Sequence, residues 1–284
     1  MKPFVKWAGG KRSINNLIIK YIEKDLDSSH RYYEPFLGGG SVFFALSHGE
    51  CVINDLNKEL INCYEIIRDC PKELIKKLRE HETKHCSEYF YDMRSLDRNE
   101  LEYRKMSKID KAARTIYLNK TCFNGLYRVN SLGYFNTPVG KYNNPLICDE
   151  ENINEISVFL NNDSIDIRNS SFENCVSDAT QGDFIYFDPP YDFEESGFTQ
   201  YVKEGFSSFD LEKLKTMCDK LIEKGCNVLI SNNATQRVLK LFKDKKYEIV
   251  AIYEIKEIDV KRTISCKGDN RTPAREVLIY GHKK

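Results

Sequence analysis

One succession near the N-terminus constrains the fold more than any other. Tyr32-Tyr33-Glu34-Pro35-Phe36 reads as a short strand that runs into Leu37-Gly38-Gly39-Gly40, and a helix with Val42, Phe43, Phe44 and Leu46 on its inner side starts at Ser41. Cys51-Val52-Ile53-Asn54-Asp55 is the next strand. The alternation returns at the other end of the chain. Asp183-Phe184-Ile185-Tyr186-Phe187-Asp188 is a buried strand, followed by a helix over about 208–224, a strand at 227–230, a helix over about 234–243, a strand at 247–255 and a last strand at 276–280. Strands alternating with helices predict an α/β fold: an open, mostly parallel sheet with helices on both faces. Apolar residues at helical spacing (Leu60, Ile61, Tyr64, Ile67, then Leu74, Ile75, Leu78) make 57–81 helical with an interruption near Pro71, whereas 119–147 reads as loops and turns. The middle of the chain is therefore an insertion forming a smaller, mainly helical domain over 57–165, and 1–56 with 166–284 form the sheet domain.

Charge argues at first against a nucleic-acid partner: 43 Lys plus Arg balance 43 Asp plus Glu, where such domains usually carry a basic footprint. The balance hides segregation. Residues 1–20 and 111–148 each hold five basic residues and no acid, while 149–200 hold thirteen acids against Arg168 alone. Two acid-free stretches rich in Asn, Gly and aromatics suit phosphate contact, with a modest nonspecific electrostatic term overall. No apolar run approaches the roughly 18–20 residues of a membrane span, and MKPFVKWAGGKR lacks the apolar stretch of a secretory signal. A cytoplasmic protein with no membrane partner is expected. The ten cysteines form no CxxC pair and read as reduced thiols packed as small hydrophobes.

Three pieces carry chemistry. The glycine-rich turn at 38–40 lets backbone approach a ligand, and Asp55, fifteen residues beyond Gly40 at a strand end, stands where doubly wound folds place an acceptor for ribose hydroxyls. Asp188-Pro189-Pro190-Tyr191 stands beyond the C-terminal end of an apolar strand, where ligands of open α/β sheets bind. Its prolines lack N–H groups, so a carboxylate, an unopposed carbonyl and an aromatic face fit a planar ring bearing an exocyclic amine. The third piece, Phe4-Val5-Lys6-Trp7-Ala8-Gly9-Gly10-Lys11-Arg12, sets the only tryptophan among cations.

Lys6-Trp7-Ala8-Gly9-Gly10-Lys11, Glu34-Pro35-Phe36-Leu37-Gly38-Gly39-Gly40-Ser41, Asn124-Gly125-Leu126-Tyr127-Arg128 and Asp188-Pro189-Pro190-Tyr191 together resemble the Dam-like DNA adenine-N6 methyltransferases of the alpha group. The order of motifs is that of the restriction–modification members and looks most like the GATC methylases of DpnII-type systems. The resemblance implies a Rossmann-like methyltransferase sheet, S-adenosylmethionine as cofactor, and double-stranded DNA, with GATC as the site and a restriction endonuclease as functional counterpart. It implies cofactor contacts from Trp7, Lys11, Phe36, Gly38, Gly40, Asp55 and Asp188, and it makes the sheet domain the cofactor-binding catalytic domain and the insertion the target-recognition domain. Asp188, Pro189 and Tyr191 would hold a flipped-out adenine, its N6–H₂ bonded to the carboxylate and the Pro189 carbonyl and its ring stacked on Tyr191. For recognition it implies Arg128 on a guanine, Leu126 against a thymine methyl, Phe123 wedged into the stack, Asn124 on the opened pair or the backbone, and Lys6 on a base or phosphate. A phosphate-facing loop is expected around Arg262-Thr263-Ile264-Ser265 and Arg271.

Other readings stand beside it. His81-Glu82-Thr83-Lys84-His85 matches the zinc-protease pattern, which needs both imidazoles on one buried helix face, yet its flanks Lys76, Lys77, Arg79 and Lys84 are those of a solvated helix. No metal is expected. Physics alone does not separate adenine N6 from cytosine N4, or DNA from RNA, and a non-catalytic sequence-specific DNA-binding protein is a further alternative.

Overall fold

A computed structural model describes residues 1–11, 14–162, 164–191, 206–243, 251–260 and 274–283. Its strands are β1 (Tyr32–Glu34), β2 (Cys51–Asn54), β3 (Ile165–Arg168), β4 (Phe184–Phe187), β5 (Asn227–Asn233), β6 (Ala251–Val260) and β7 (Ala274–Lys283). The chain forms two compact units. The first comprises Met1–Gly10, Gly38–Ala45 and Asp55–Asn169, and the second Lys11–Leu37, Leu46–Asn54 and Ser170–Lys284.

In the second unit the strands run β2-β1-β4-β5-β7-β6. β2, β1, β4 and β5 are mutually parallel, with Tyr33 opposite Val52 and Tyr186 opposite Leu229, and β7 enters antiparallel between β5 and β6. Both sheet faces are covered, which is why β1, β2 and β4 are apolar at nearly every position and buried throughout. One face, with Tyr33, Ile185, Phe187, Val228, Ile230, Val277 and Ile279, packs with Leu211, Leu214, Cys218 and Leu221 of the helix Ser208–Glu223 and with Val238 and Phe242 of the helix Gln236–Lys243. On the other, Phe184 stacks on Tyr280, against which Tyr21 of the helix Asn15–Asp25 is tilted. Ser207 starts the helix at Ser208 with a full capping box, its side chain and that of Asp210 each accepting the other's backbone N–H.

The first unit is mainly helical. The expected interruption at Pro71 separates the helices Lys58–Asp69 and Pro71–Lys84, with the proline in the first turn, where its missing N–H costs nothing. Asn57 caps the first of these by accepting from the amides of Glu59 and Leu60. The helix Lys108–Thr121 is buried from Ala112 to Asn119, including Arg114, whose guanidinium lies 2.9 Å from the Asp97 carboxylate. The basic stretch 111–148 is thus not five surface cations. The expected loops between 119 and 147 contain a hairpin: Val129 bridges Phe135, and backbone bonds join Asn130 to Tyr134 and Asn136 to Arg128.

Two strands run further than the sequence pattern predicts. β5 continues through Ser231-Asn232-Asn233, paired with Leu278, Val277 and Glu276 of β7. The strand expected at 247–255 is described from Ala251 and runs to Val260.

Candidate active site

In the second unit the site begins where β4 ends. Asp188 follows Phe187, and its Oδ1 accepts from Lys11 Nζ at 2.7 Å and from Ser231 Oγ at 2.8 Å. The Lys11 side chain is 3% exposed and that of Asp188 19%. The same ammonium lies 4.4 Å from the centre of the Tyr191 ring, so one buried cation is shared between the carboxylate and an aromatic face. Burial pushes the Asp188 carboxyl above the usual range, against the opposing pull of Lys11 and Ser231. Pro189 is buried and Pro190 exposed. Phe36 joins an aromatic cluster with Phe172, Phe187 and Phe206 at centroid distances of 5.5, 6.3 and 5.8 Å. The chain leaving β1 is held by Asn54, whose Nδ2 donates to the carbonyls of Pro35 and Ser170 while its Oδ1 accepts from the Ser170 amide.

In the first unit the glycine turn is fixed by Asp55. Its Oδ2 accepts from the Gly38 amide and its Oδ1 from the Asn57 amide, both at 2.9 Å, while the Tyr64 hydroxyl donates to the Gly38 carbonyl. Burial raises the Asp55 carboxyl despite these two bonds. Each oxygen keeps a second lone pair for a ligand hydroxyl. Gly38 has φ +52°, and a Cβ there would come 2.8 Å from the Trp7 ring, so only glycine fits beneath that indole. Trp7 also stacks on Tyr127, centroids 5.1 Å apart. Asp55 is thus an anchor of the glycine turn.

The recognition candidates of this unit share one organiser that the sequence did not single out. Asn119, fully buried, accepts from the Lys6 amide and donates to the carbonyls of Lys6 and Gly125. It thereby joins the N-terminal segment to the turn at 123–126. Gly125 has φ +64°, and its missing side chain leaves room for the stem of Lys6, which a Cβ would meet at 2.4 Å. Lys6 Nζ lies over the Tyr142 ring. Phe123 is 51% exposed and Asn124 adopts φ +55°. The Leu126 carbonyl accepts from the Thr137 hydroxyl, and Arg128, exposed at the base of the hairpin, donates from Nε to Asn136 Oδ1 at 2.7 Å. Phe123, Asn124, Leu126 and Arg128 therefore share one short stretch of backbone, and Asn119 ties the segment carrying Lys6 to it. Trp7 and Asp55 stand on this unit with Gly38 and Gly40, whereas Lys11, Phe36, Asp188, Pro189 and Tyr191 stand on the other. Arg262-Thr263-Ile264-Ser265 and Arg271 lie outside the described residues.

The histidine pair does not form a zinc-binding helix face. The helix ends at Lys84 and His85 is its extended cap residue. His81 Nδ1 meets the Tyr89 hydroxyl at 2.7 Å and His85 Nδ1 the Tyr117 hydroxyl at 3.0 Å. Among the described residues no His, Cys, Asp or Glu cluster is arranged to hold a metal, and no helix is long and apolar enough to cross a membrane.

The family model of D12 class N6 adenine-specific DNA methyltransferases matches residues 7–264. The chain is 42% identical to the Type II methyltransferase M1.LlaDCHI of Lactococcus lactis subsp. cremoris, over 99% of this chain and 96% of that one. It is 36% identical to the Type II methyltransferase M.MjaIII of Methanocaldococcus jannaschii, over 99% of each. Against the DNA adenine methylase of Escherichia coli (strain K12) it is 29% identical over 98% of this chain and 94% of that one. Of the two exocyclic amines and two nucleic acids that physics left open, the family selects adenine N6 and DNA. The chain belongs to the D12 class N6 adenine-specific DNA methyltransferases.

Proposed function

We propose that the chain transfers a methyl group from S-adenosylmethionine to N6 of an adenine flipped out of double-stranded DNA, in the sequence GATC, as the cytoplasmic modification half of a restriction–modification system. The observation that carries the reading is Asp188 beyond β4, fixed through one oxygen by Lys11 and Ser231 and followed by two prolines. Adenine N6 is a poor nucleophile because its lone pair is delocalised into the ring. Hydrogen bonds from N6–H₂ to the Asp188 carboxylate and the Pro189 carbonyl draw the nitrogen toward sp³ character and aim its lone pair, and Tyr191 stacks on the flipped base. A strong base is not required, since the amine proton becomes acidic as the N–C bond forms and can then pass to Asp188 or to water.

The cofactor supplies an electrophilic methyl on a sulfonium. The residues fit it chemically: Asp55 keeps a lone pair on each oxygen for ribose hydroxyls, and a sulfonium cation favours the carboxylate of Asp188. Trp7, Lys11, Phe36, Gly38 and Gly40 are the remaining proposed contacts. Lys6, Phe123, Asn124, Leu126 and Arg128 are the proposed DNA contacts, and residues 57–165 the target-recognition domain. The GATC assignment rests on the resemblance carried by the motifs together, and the exposed Arg128 supports a contact to DNA. The test is to methylate plasmid DNA lacking adenine methylation with labelled S-adenosylmethionine, hydrolyse it and identify the labelled base. Label in N6-methyladenine, with protection of GATC sites from a GATC-cleaving nuclease, is expected. Label in adenine without that protection would refute the site, and label elsewhere the reaction.

A further inference from the structure

Behind Asp188 lies a chain of hydrogen bonds that the tetrapeptide alone does not reveal. Ser231 is fully buried in β5, with its Oγ 2.8 Å from Asp188 Oδ1 and 2.9 Å from the hydroxyl of Tyr186, itself fully buried in β4. A serine hydroxyl has one proton and two acceptor lone pairs. The carboxylate is the stronger acceptor, so that proton points to Asp188, and Tyr186 must then donate to Ser231 Oγ. Lys11 Nζ reaches the same carboxylate oxygen at 2.7 Å. Both bonds made by Asp188 among the described residues thus fall on Oδ1, which leaves Oδ2 as the oxygen offered to a ligand. Lys11 brings charge, which is felt from any direction. The neutral Ser231 brings direction, because its bond is satisfied at one orientation of the carboxylate.

We propose that Ser231, its hydroxyl oriented by Tyr186, is a positioning residue for methyl transfer: it turns Asp188 so that Oδ2 accepts the hydrogen bond from adenine N6. This rests on the reading of Asp188 as the group that holds the adenine amine. Ser231 also draws the Asp188 carboxyl downward, so its loss should move the acid limb of the rate profile, which a merely structural residue would leave in place.

Ser231→Ala alone would strand the buried Tyr186 hydroxyl, so the first variant is the pair Tyr186→Phe with Ser231→Ala, which removes donor and acceptor together. Ser231→Cys, of similar volume and a weak donor, carries the same test should the pair fail to fold. Asp188→Asn is measured in parallel. Single-turnover methyl transfer in the paired variant is expected to slow about 10- to 100-fold through misplacement of the carboxylate. S-adenosylmethionine and DNA affinity should fall by much less than the rate, and the acid limb should move to higher pH. Tyr186→Phe alone should shift rate and limb in the same direction by less. A paired or Cys variant with wild-type rate and an unmoved acid limb, beside an inactive Asp188→Asn, overturns the role of Ser231. So does a loss confined to the KM of either substrate. Near-normal turnover by Asp188→Asn would instead overturn the reading of Asp188 beneath it.

Discussion

Replacing Lys11 by Met tests whether the electrostatics around Asp188 are as the geometry implies. At 2.7 Å two unit charges attract by roughly 6 kcal/mol at an effective dielectric of 20, offset by several kcal/mol for dehydrating the ammonium. Methionine removes the attraction and leaves the carboxylate stranded. Breaking a buried pair in this way costs roughly 3–5 kcal/mol. The lower end, about 3 kcal/mol, applies here, because Asp188 is 19% exposed and keeps its Ser231 bond. At about 2–4 °C per kcal/mol for a chain of this size, the melting temperature should fall by roughly 6–12 °C at neutral pH. The pH dependence fixes the cause. The folded-state value of Asp188 is already raised by burial, and losing Lys11 raises it further. An acid raised on folding adds stability below its unfolded value and loses it as pH climbs through the folded one. The deficit of Lys11→Met should therefore be full at pH 7.5 and shrink toward pH 4.5, as the raised carboxyl of Asp188 takes up a proton and needs no cation. The assay is urea unfolding at both pH values for the wild type, Lys11→Met and the double variant Lys11→Met with Asp188→Leu, which should recover most of the stability and none of the activity. An equal deficit at both pH values, or no recovery in the double variant, would refute the account.

Three further outcomes follow from the geometry. Arg128→Ala should lose about 1–3 kcal/mol of discrimination at one position of the site, measured as the ratio of kcat/KM on GATC and on single-base variants; an equal loss on every sequence would make Arg128 a phosphate contact. Gly38→Ala, forced into φ +52° and against the Trp7 ring, should cost about 1–3 kcal/mol of stability and weaken S-adenosylmethionine binding, both readable by calorimetry. Burial holds His81 down to about 4, so the fold favours its neutral form. That stability is complete above the usual histidine value and is lost as pH falls from there toward 4. His81→Gln should flatten the fall of the melting temperature over that interval, and an unchanged profile would dismiss the assignment.

How far the chain could be read from its letters depended on where each residue's partner lies. β1, β2 and β4 were legible because burial on both faces leaves nearly continuous apolar runs, and the helix break at Pro71 because proline acts on its own backbone. The glycine turn and the Asp188 tetrapeptide were legible because each is contiguous. The placement of β7 between β5 and β6 was not, since register across a sheet is a long-range choice. The end of β5 is not legible for a related reason. Ser231-Asn232-Asn233 looks like a turn by composition, yet it stays paired with β7, with Ser231 bonded to Tyr186 and Asp188. The polarity that seemed to end the strand is what equips it to hold the carboxylate.

The same logic revises the charge pattern. The acid-free stretches 1–20 and 111–148 suggested ten cations ready for phosphates. Lys11 is committed to Asp188, Arg114 to Asp97 and Lys2 to Asp149 at 2.9 Å, acids that lie outside the windows in which the cations were counted. Each cation spent within the chain is one fewer to displace counterions, worth about 0.9 in the slope of log K against log salt. Lys6, Lys20, Arg128 and Lys141 remain exposed, and Lys6 and Arg128 are among the proposed DNA contacts. With three of the ten committed, binding to random DNA should show a salt slope no steeper than roughly −6, with cognate affinity resting on contacts that only the right sequence completes. A slope on random DNA as steep as ten phosphate contacts would give, roughly −9, would mean that these internal pairs open when DNA binds.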